Sequence, residues 1–440
     1  MKSPSFEVVI IGGGCAGAST ALALLQKGVT SIAIVEKSDF SQPRVGETIQ
    51  PPTSQLLKQL GVWEDFLKED HLPSSGVASA WGTSELEYTD FIFRTYGKGW
   101  HLDRNAFDTM LLRLAVERGA TLFAETRLKN ATKTENGWTL QCGNTKLDAQ
   151  FVVDASGRAC AFAKLQGAHK IQFDDLHGIY TYWEQPKDAL ETFGAAHTLV
   201  ESVEHGWWYS ALLPNGTLAV ALMTDTEVIK THQLKHTENY LDLLQQTTHT
   251  AARISRLTQV SSPAVKVANA YELDTMVGDG WLAVGDSASA YDPLSSFGIH
   301  KALQNSLEAG AAIQAALCGH TRVLKDYAQN VQHAFEGFLT TRYQYYAMET
   351  RWQDSPFWKA RQQPISVHPL QEIKARPNIP PKKWNRILPN HAIQSLLQGC
   401  STPTTAAQLV QDFQKESAHG YPDWRVIQAV SYLFINEAIG

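Results

Sequence analysis

The stretch Phe6-Glu7-Val8-Val9-Ile10-Ile11-Gly12-Gly13-Gly14-Cys15-Ala16-Gly17 decides the fold. Its first six residues end in an apolar, β-branched run and read as a buried strand. Gly12, Gly14 and Gly17 follow as a G-x-G-x-x-G pattern. Ala18 to Lys27 predicts a small-residue helix closed by Gly28. Ser31-Ile32-Ala33-Ile34-Val35-Glu36 predicts a second strand, and Glu36 stands 19 residues beyond Gly17. Glycines in this strand–helix–strand setting permit a tight turn and close approach to a pyrophosphate. The helix start supplies free N–H groups, and a carboxylate at position 36 can accept hydrogen bonds from a ribose diol. Gly12, Gly14, Ala16, Gly17, Glu36 and Lys37 are therefore the expected dinucleotide site.

The chain has 440 residues, of which 43% are hydrophobic, enough for two or three domains with a sizeable core. Lys plus Arg number 38 against 44 Asp plus Glu, a formal charge of −6. That balance disfavours nucleic acid as a partner. Cys15, Cys142, Cys160, Cys318 and Cys400 are dispersed without a C-x-x-C pair, so neither a disulfide framework nor a zinc site is expected. The histidines show no metal-ligand spacing, and no metal is expected. With no secretory h-region and no apolar run of about 18 residues, a cytoplasmic protein without a membrane partner is expected.

Further along, Asn105 to Glu117 predicts an amphipathic helix. Phe151-Val152-Val153-Asp154 and Trp281-Leu282-Ala283-Val284 predict two more buried strands. Alternating, aromatic stretches at Val77 to Phe93, Gly178 to Trp183, Trp207 to Leu213 and Thr217 to Met223 predict an inserted antiparallel sheet. Leu324 to Trp352 carries a long helical pattern. Pro364 to Pro389 reads as a linker or wrapping loop, and three short helices are expected after it.

Two strand-end motifs join the glycine pattern: Val153-Asp154-Ala155-Ser156-Gly157-Arg158 and Val284-Gly285-Asp286-Ser287-Ala288. The second runs through Asp292-Pro293-Leu294-Ser295-Ser296-Phe297-Gly298-Ile299 into a helix. In this order and spacing, residues 5 to 355 resemble the flavoprotein monooxygenases and halogenases of the hydroxybenzoate-hydroxylase fold. The resemblance implies an α/β chain. Its Rossmann-like FAD-binding domain spans 1–75, 100–170 and 271–335. A β-sheet substrate domain spans 76–99 and 171–270, and a C-terminal helical region spans 336–440. It implies FAD as cofactor, with Asp286 at the ribityl chain and Pro293, Gly298 and Ile299 at the ring. Asp154, Gly285, Arg44, Gly46 and Arg104 join the expected FAD contacts, Arg104 through an Arg-x-x-Phe-Asp pattern with Phe107 and Asp108.

Arg44-Val45-Gly46-Glu47-Thr48, followed by Pro51 and Pro52, resembles the halogenase side of this superfamily. The halogenases carry a lysine seven or eight residues before a strand-closing Trp, here Trp81. Those positions hold Ser74 and Pro73, with Ser75 adjacent, and a hydroxyl cannot supply an ammonium. The halogenase Trp-x-Trp-x-Ile-Pro becomes Trp207-Trp208-Tyr209-Ser210-Ala211-Leu212, and Ser295 stands where tryptophan halogenases carry glutamate. Oxygen transfer to an electron-rich ring, through a flavin C4a-hydroperoxide, is the reaction the resemblance then implies. His300 and Glu47 are the acid/base candidates. Trp207, Tyr209, Ser295, Phe297 and Trp352 are the candidate substrate wall.

Gly206 to Tyr209, Asp292 to Ser296 and Arg351 to Trp358 resemble accessory flavoproteins that mature tryptophylquinone-cofactor oxidases. This implies hydroxylation of a tryptophan side chain in a precursor polypeptide, with electrons from NAD(P)H or a partner flavin reductase. Halogenation of a small indole or phenol, and a non-catalytic flavoprotein that only binds the precursor, stay open as alternatives.

Overall fold

The computed structural model describes residues 3–42, 44–91, 96–186, 197–362, 370–376, 387–416, 420–435 and 438–439. The first strand is Ser5–Ile11, and its last four residues are buried. It lies mid-sheet, parallel to Ile32–Val35 on one side and to Thr145–Asp154 on the other. Thr121–Phe123 and Trp281–Ala283 extend the parallel array. Parallel strands are covered on both faces, so Val8, Val9, Ile10, Val152 and Val153 are all fully buried with no in/out alternation. Because these strands run the same way, their carboxyl ends gather along one edge, where a crevice forms.

The helix after the glycine pattern is Cys15–Gln26. It packs against Gly298–Leu317 closely enough that a Cβ on Gly310 would stand 2.8 Å from the Ala23 methyl. Arg104–Glu117 begins one residue before the expected start, where the Asp103 carboxylate caps the N–H groups of Asn105 and Ala106.

The second sheet runs in the order Thr258–Gln259, Leu176–Glu184, Leu218–Asp225, Gly206–Leu212, His197–Val203, Gly76–Ala80, Glu87–Asp90. Ala264–Val267 also pairs with Leu176–Glu184. It is not wholly antiparallel as expected: Gly76–Ala80 runs parallel to His197–Val203. The two come from distant segments with no hairpin to impose opposed directions. Alternation along Gly206–Leu212 sends Trp207 and Tyr209 to one face and Trp208 to the other. Trp208 meets Tyr240 of helix Thr237–Gln245, ring centroids 5.2 Å apart.

The long helical pattern expected over Leu324 to Trp352 is a single helix, Val323–Ala347, and a separate helix, Pro356–Gln362, follows beyond it. The expected boundary at 336 therefore falls inside a continuous helix. Most of the expected linker lies outside the described residues, but Glu372–Ile373 is a strand paired with Thr404–Thr405. The three final helices are Asn390–Gly399, Ala406–Glu416 and Asp423–Ile435, packed through Leu396, Leu409, Val426 and Leu433. Buried Arg425 docks this unit by pairing with Glu272 of the strand Tyr271–Leu273, which belongs to a small separate sheet. Among the described residues, no helix is long and apolar enough to cross a membrane.

Candidate active site

A cavity of 670 Å³ runs from the carboxyl edge of the parallel sheet to the floor of the second sheet. The glycine turn shapes one end. Gly12 has φ +112°, and a Cβ there would stand 2.3 Å from the Ala155 carbonyl oxygen. A Cβ on Gly17 would stand 1.8 Å from the Gly12 oxygen, so this glycine sets helix–strand packing and lies outside the cavity lining. Gly14 is open towards the cavity: a Cβ there would meet the Arg44 guanidinium at 3.2 Å and little else. The helix start has no side-chain cap. Free N–H groups and a guanidinium thus converge on one point, an anion cradle suited to a pyrophosphate.

Glu36 lines the same end but is already engaged. Its carboxylate accepts from the Gly13 N–H at 2.6 Å and from the Ser38 N–H and hydroxyl at 2.7 and 2.6 Å. Arg44 donates to Asp108 at 2.7 Å and to the Ser38 hydroxyl at 3.0 Å. Arg104 reaches Asp108 at 3.3 Å and the carbonyls of Val45 and Gly46. Asp108 is the hub of this cluster. It stands four residues after Arg104, one helical turn on, which is the local signal for it.

Further in, Asp286 is held between Lys301 at 2.9 Å and Arg158 at 3.8 Å. Burial pushes its carboxyl up, but these cations outweigh burial and hold it below the usual range. Lys301 sits one turn into the helix that opens at Gly298, a spacing that could have revealed it. Pro293, Gly298 and Ile299 line the cavity, and so do Ala16, Lys37 and Gly46. Gly285 stands behind the wall, against Ala16.

Asp154 is a correction. It is fully buried outside the cavity, accepting from the N–H groups of Phe162 and Ala163 at 2.8 Å and from Ser156 and Ser287. It ties two strand-end loops together. His300 is a second correction. It does not line the cavity; its Nδ1 lies 3.3 Å from the Thr53 hydroxyl and its ring packs on Phe297.

Of the expected substrate wall, only Tyr209 faces the cavity. Ser295 serves its own turn, donating to the Asp292 carbonyl at 3.0 Å, and Phe297 is on the surface. Trp207 and Trp352 belong to an aromatic cluster with Trp81, Tyr346, Phe357 and Trp358 behind the chamber. There Trp207 donates to the Tyr346 hydroxyl at 3.0 Å, and Tyr346 donates to Asp292 at 2.8 Å. Asp292 borders the cavity and also takes Arg342 at 2.9 Å.

Glu47 lines the chamber beside Tyr180, Tyr209 and Met223. It is 3% exposed, and its Oε1 has no hydrogen-bond partner. Burial raises its carboxyl above the usual range, against the pull of Arg104, Tyr209 and nearby backbone N–H groups. Burial also pushes the Cys15 thiol up, which keeps it protonated and unreactive.

Residues 5–339 match the FAD binding domain family. The chain belongs to that family. It is a flavin-dependent oxidoreductase, and FAD is its cofactor. The cradle, the elongated cavity and the paired Asp286 fit that molecule. A putative FAD-dependent oxidoreductase, LodB, of Marinomonas mediterranea is 29% identical over 365 residues, covering 81% of this chain and 97% of that protein. A tryptophan 2-halogenase of Chondromyces crocatus is 26% identical, covering 82% and 72%. Among solved structures, the myxobacterial chondrochloren halogenase CndH superposes with a TM-score of 0.75 at 21% identity, covering 98% and 96%. The peptidyl tryptophan dihydroxylase QhpG gives 0.62 at 21%, covering 86% and 85%. At these identities the structural likeness is one of fold.

Proposed function

We propose that this family member is a monooxygenase that hydroxylates the indole ring of a tryptophan in a precursor polypeptide, during tryptophylquinone cofactor biogenesis. The observation that carries this reading is the chamber around Glu47. Phenols, a thioether and the buried Glu47 carboxyl surround the space, and the positions counted back from Trp81 to the halogenase lysine, Ser74 and Pro73, hold no lysine and lie outside the cavity lining. Bound FAD supplies the oxygen-activating redox chemistry.

The chain's residues bind, orient and hold protons. The helix start at Cys15 and Arg44 would hold the pyrophosphate, Glu36 would meet the adenosine ribose, and Asp286 would meet the ribityl chain. The helix opening at Gly298 would place its free N–H groups towards the bound ring, where they would favour negative charge. Tyr180, Tyr209 and Met223 flank an aromatic substrate. Glu47, a buried carboxyl on the chamber wall whose proton affinity burial raises, would serve as a proton donor to a group bound there. Electrons come from NAD(P)H or a partner flavin reductase.

Halogenation is the second reading, favoured by the likeness to the tryptophan 2-halogenase. Intact mass separates the two. The FAD-loaded protein is given an electron source, O₂ and chloride, with free tryptophan in one tube and a Trp-bearing precursor polypeptide in another. One or two added oxygen atoms on the polypeptide alone is the expected result. Oxygen on free tryptophan overturns the polypeptide assignment, and a chlorine isotope pattern overturns hydroxylation.

A further inference from the structure

Asp292 stands at the head of the turn Pro293–Ser295, and its Oδ1 accepts from the Leu294 N–H at 2.9 Å. Ser296 follows in the left-handed region, φ +50°, and the chain then enters the helix at Gly298. Pro293, Ser296, Gly298 and Ile299 line the cavity along this path, so the Asp292 carboxylate shapes the stretch assigned to the flavin ring. Its Oδ2 accepts from the Arg342 Nε at 2.9 Å and from the Tyr346 hydroxyl at 2.8 Å. Both donors belong to the helix Val323–Ala347.

Arg342 does not serve Asp292 alone. Its Nη2 lies 2.7 Å from Asp174 Oδ2. Asp174 in turn accepts from the Leu176 N–H at 2.9 Å, where the strand Leu176–Glu184 begins. That strand carries Tyr180 to the chamber. One guanidinium thus ties the ring-side turn to the second sheet. The Arg342, Asp174 and Asp292 side chains are 12%, 6% and 0% exposed, so water screens their charges little. One cation meets two carboxylates, and the trio is left net negative. Arg361, whose guanidinium stands 5.6 Å from the Tyr346 ring, is spent on Asp225 at 2.9 and 2.5 Å. Asp286 has its own cations in Lys301 and Arg158.

A flavin ring gains negative charge on reduction, so fixed charge beside it governs how readily it takes electrons. We infer that Asp292 holds down the reduction potential of the bound FAD, and that Arg342 is the positioning residue that sets how far, by dividing its charge between Asp292 and Asp174. This requires FAD in the cavity and is independent of whether oxygen or halogen is transferred.

The test is the two-electron reduction potential of the full FAD-loaded chain, read by absorbance titration against a redox dye. Asp292→Asn removes the negative charge and keeps an oxygen for the Leu294 N–H. It is expected to raise the ratio of reduced to oxidised flavin at a fixed potential about tenfold, a shift of about 30 mV upward. Arg342→Gln leaves Asp292 unmatched and is expected to lower that ratio about tenfold. Arg342→Lys returns the cation without the planar fork and is expected to restore most of the ratio. A turn merely loosened by the substitutions would move Asp292→Asn and Arg342→Gln in the same direction. Shifts of one sign, or a wild-type potential in Asp292→Asn, overturn the inference. Should Arg342→Gln fail to fold, Asp292→Asn decides alone: a rise supports the assignment, and any other result, loss of the flavin included, overturns it. Failure of the hydroxylase reading appears separately, in the product masses.

Discussion

Arg44 and Asp108, 64 residues apart in the chain, meet at 2.7 Å beside the open face of Gly14. Asp108 is 1% exposed and also pairs with Arg104. Asp108→Ala would leave two guanidinium groups without their carboxylate. A loss of about 3 kcal/mol in stability is expected, together with weaker FAD retention. Denaturant titration and the flavin absorbance of the purified variant check both; unchanged flavin content would remove this cluster from the cofactor site.

Gly14 and Gly17 are expected to fail differently. A side chain on Gly14 has room within the protein but occupies the cradle, so Gly14→Val should fold and purify colourless. Gly17→Ala drives a methyl into the Gly12 carbonyl at 1.8 Å, so it should lose stability first. Melting temperature and flavin content, measured together on each variant, separate the two. A yellow, FAD-replete Gly14→Val would contradict the site.

Tyr346 joins the aromatic cluster to the cavity wall through Asp292. Tyr346→Phe leaves the buried Trp207 N–H without its acceptor and removes a donor from Asp292. A cost of about 1–3 kcal/mol is expected, with flavin content unchanged. A loss of product formation at wild-type stability would instead place the cluster in the chemistry.

Glu272 gives stability a pH dependence. Burial, outweighing Arg425, raises its pKa to about 7. The folded state then keeps a proton that the unfolded chain releases near the ordinary Glu value. Stability should fall as pH rises between those two values, and no further above the folded one. The drop is about 3 kcal/mol at most. Glu272→Gln should flatten it. Denaturation midpoints at acidic and mildly alkaline pH provide the check, and an identical slope in the variant would clear Glu272 of the effect.

Ser74→Lys is expected to yield no chlorinated product. Ser74 is fully buried and donates to the Gly76 carbonyl at 3.4 Å, away from the cavity. A lysine there meets desolvation rather than the flavin. A chlorine isotope pattern from this variant would show that the position reaches the reacting centre.

Local pattern carries far in this chain. The apolar run before Gly12, the glycine spacing and Glu36 specify the strand–helix–strand unit, because steric and hydrogen-bonding demands within about thirty residues settle it. The helices at Arg104 and at the C-terminus follow from periodicity and caps in the same way. Local pattern could not separate Asp154 from Asp286. Both stand at or just past the carboxyl end of a buried strand, before a small residue, yet one is consumed by helix N–H groups and the other faces the cavity between Lys301 and Arg158. Nor could it tell that Trp207 turns into a core while Tyr209, on the same face, reaches the chamber. The identity of Asp108 as a hub and the meeting of Glu47 with Tyr180, Tyr209 and Met223 depend on side chains drawn from several elements. Those meetings follow from how two sheets pack, and no property of neighbouring residues encodes them. Local residue order specifies the nucleotide-binding frame and its cofactor class; which polar groups lie buried in the cavity wall is set by long-range packing, because burial and partnership arise there.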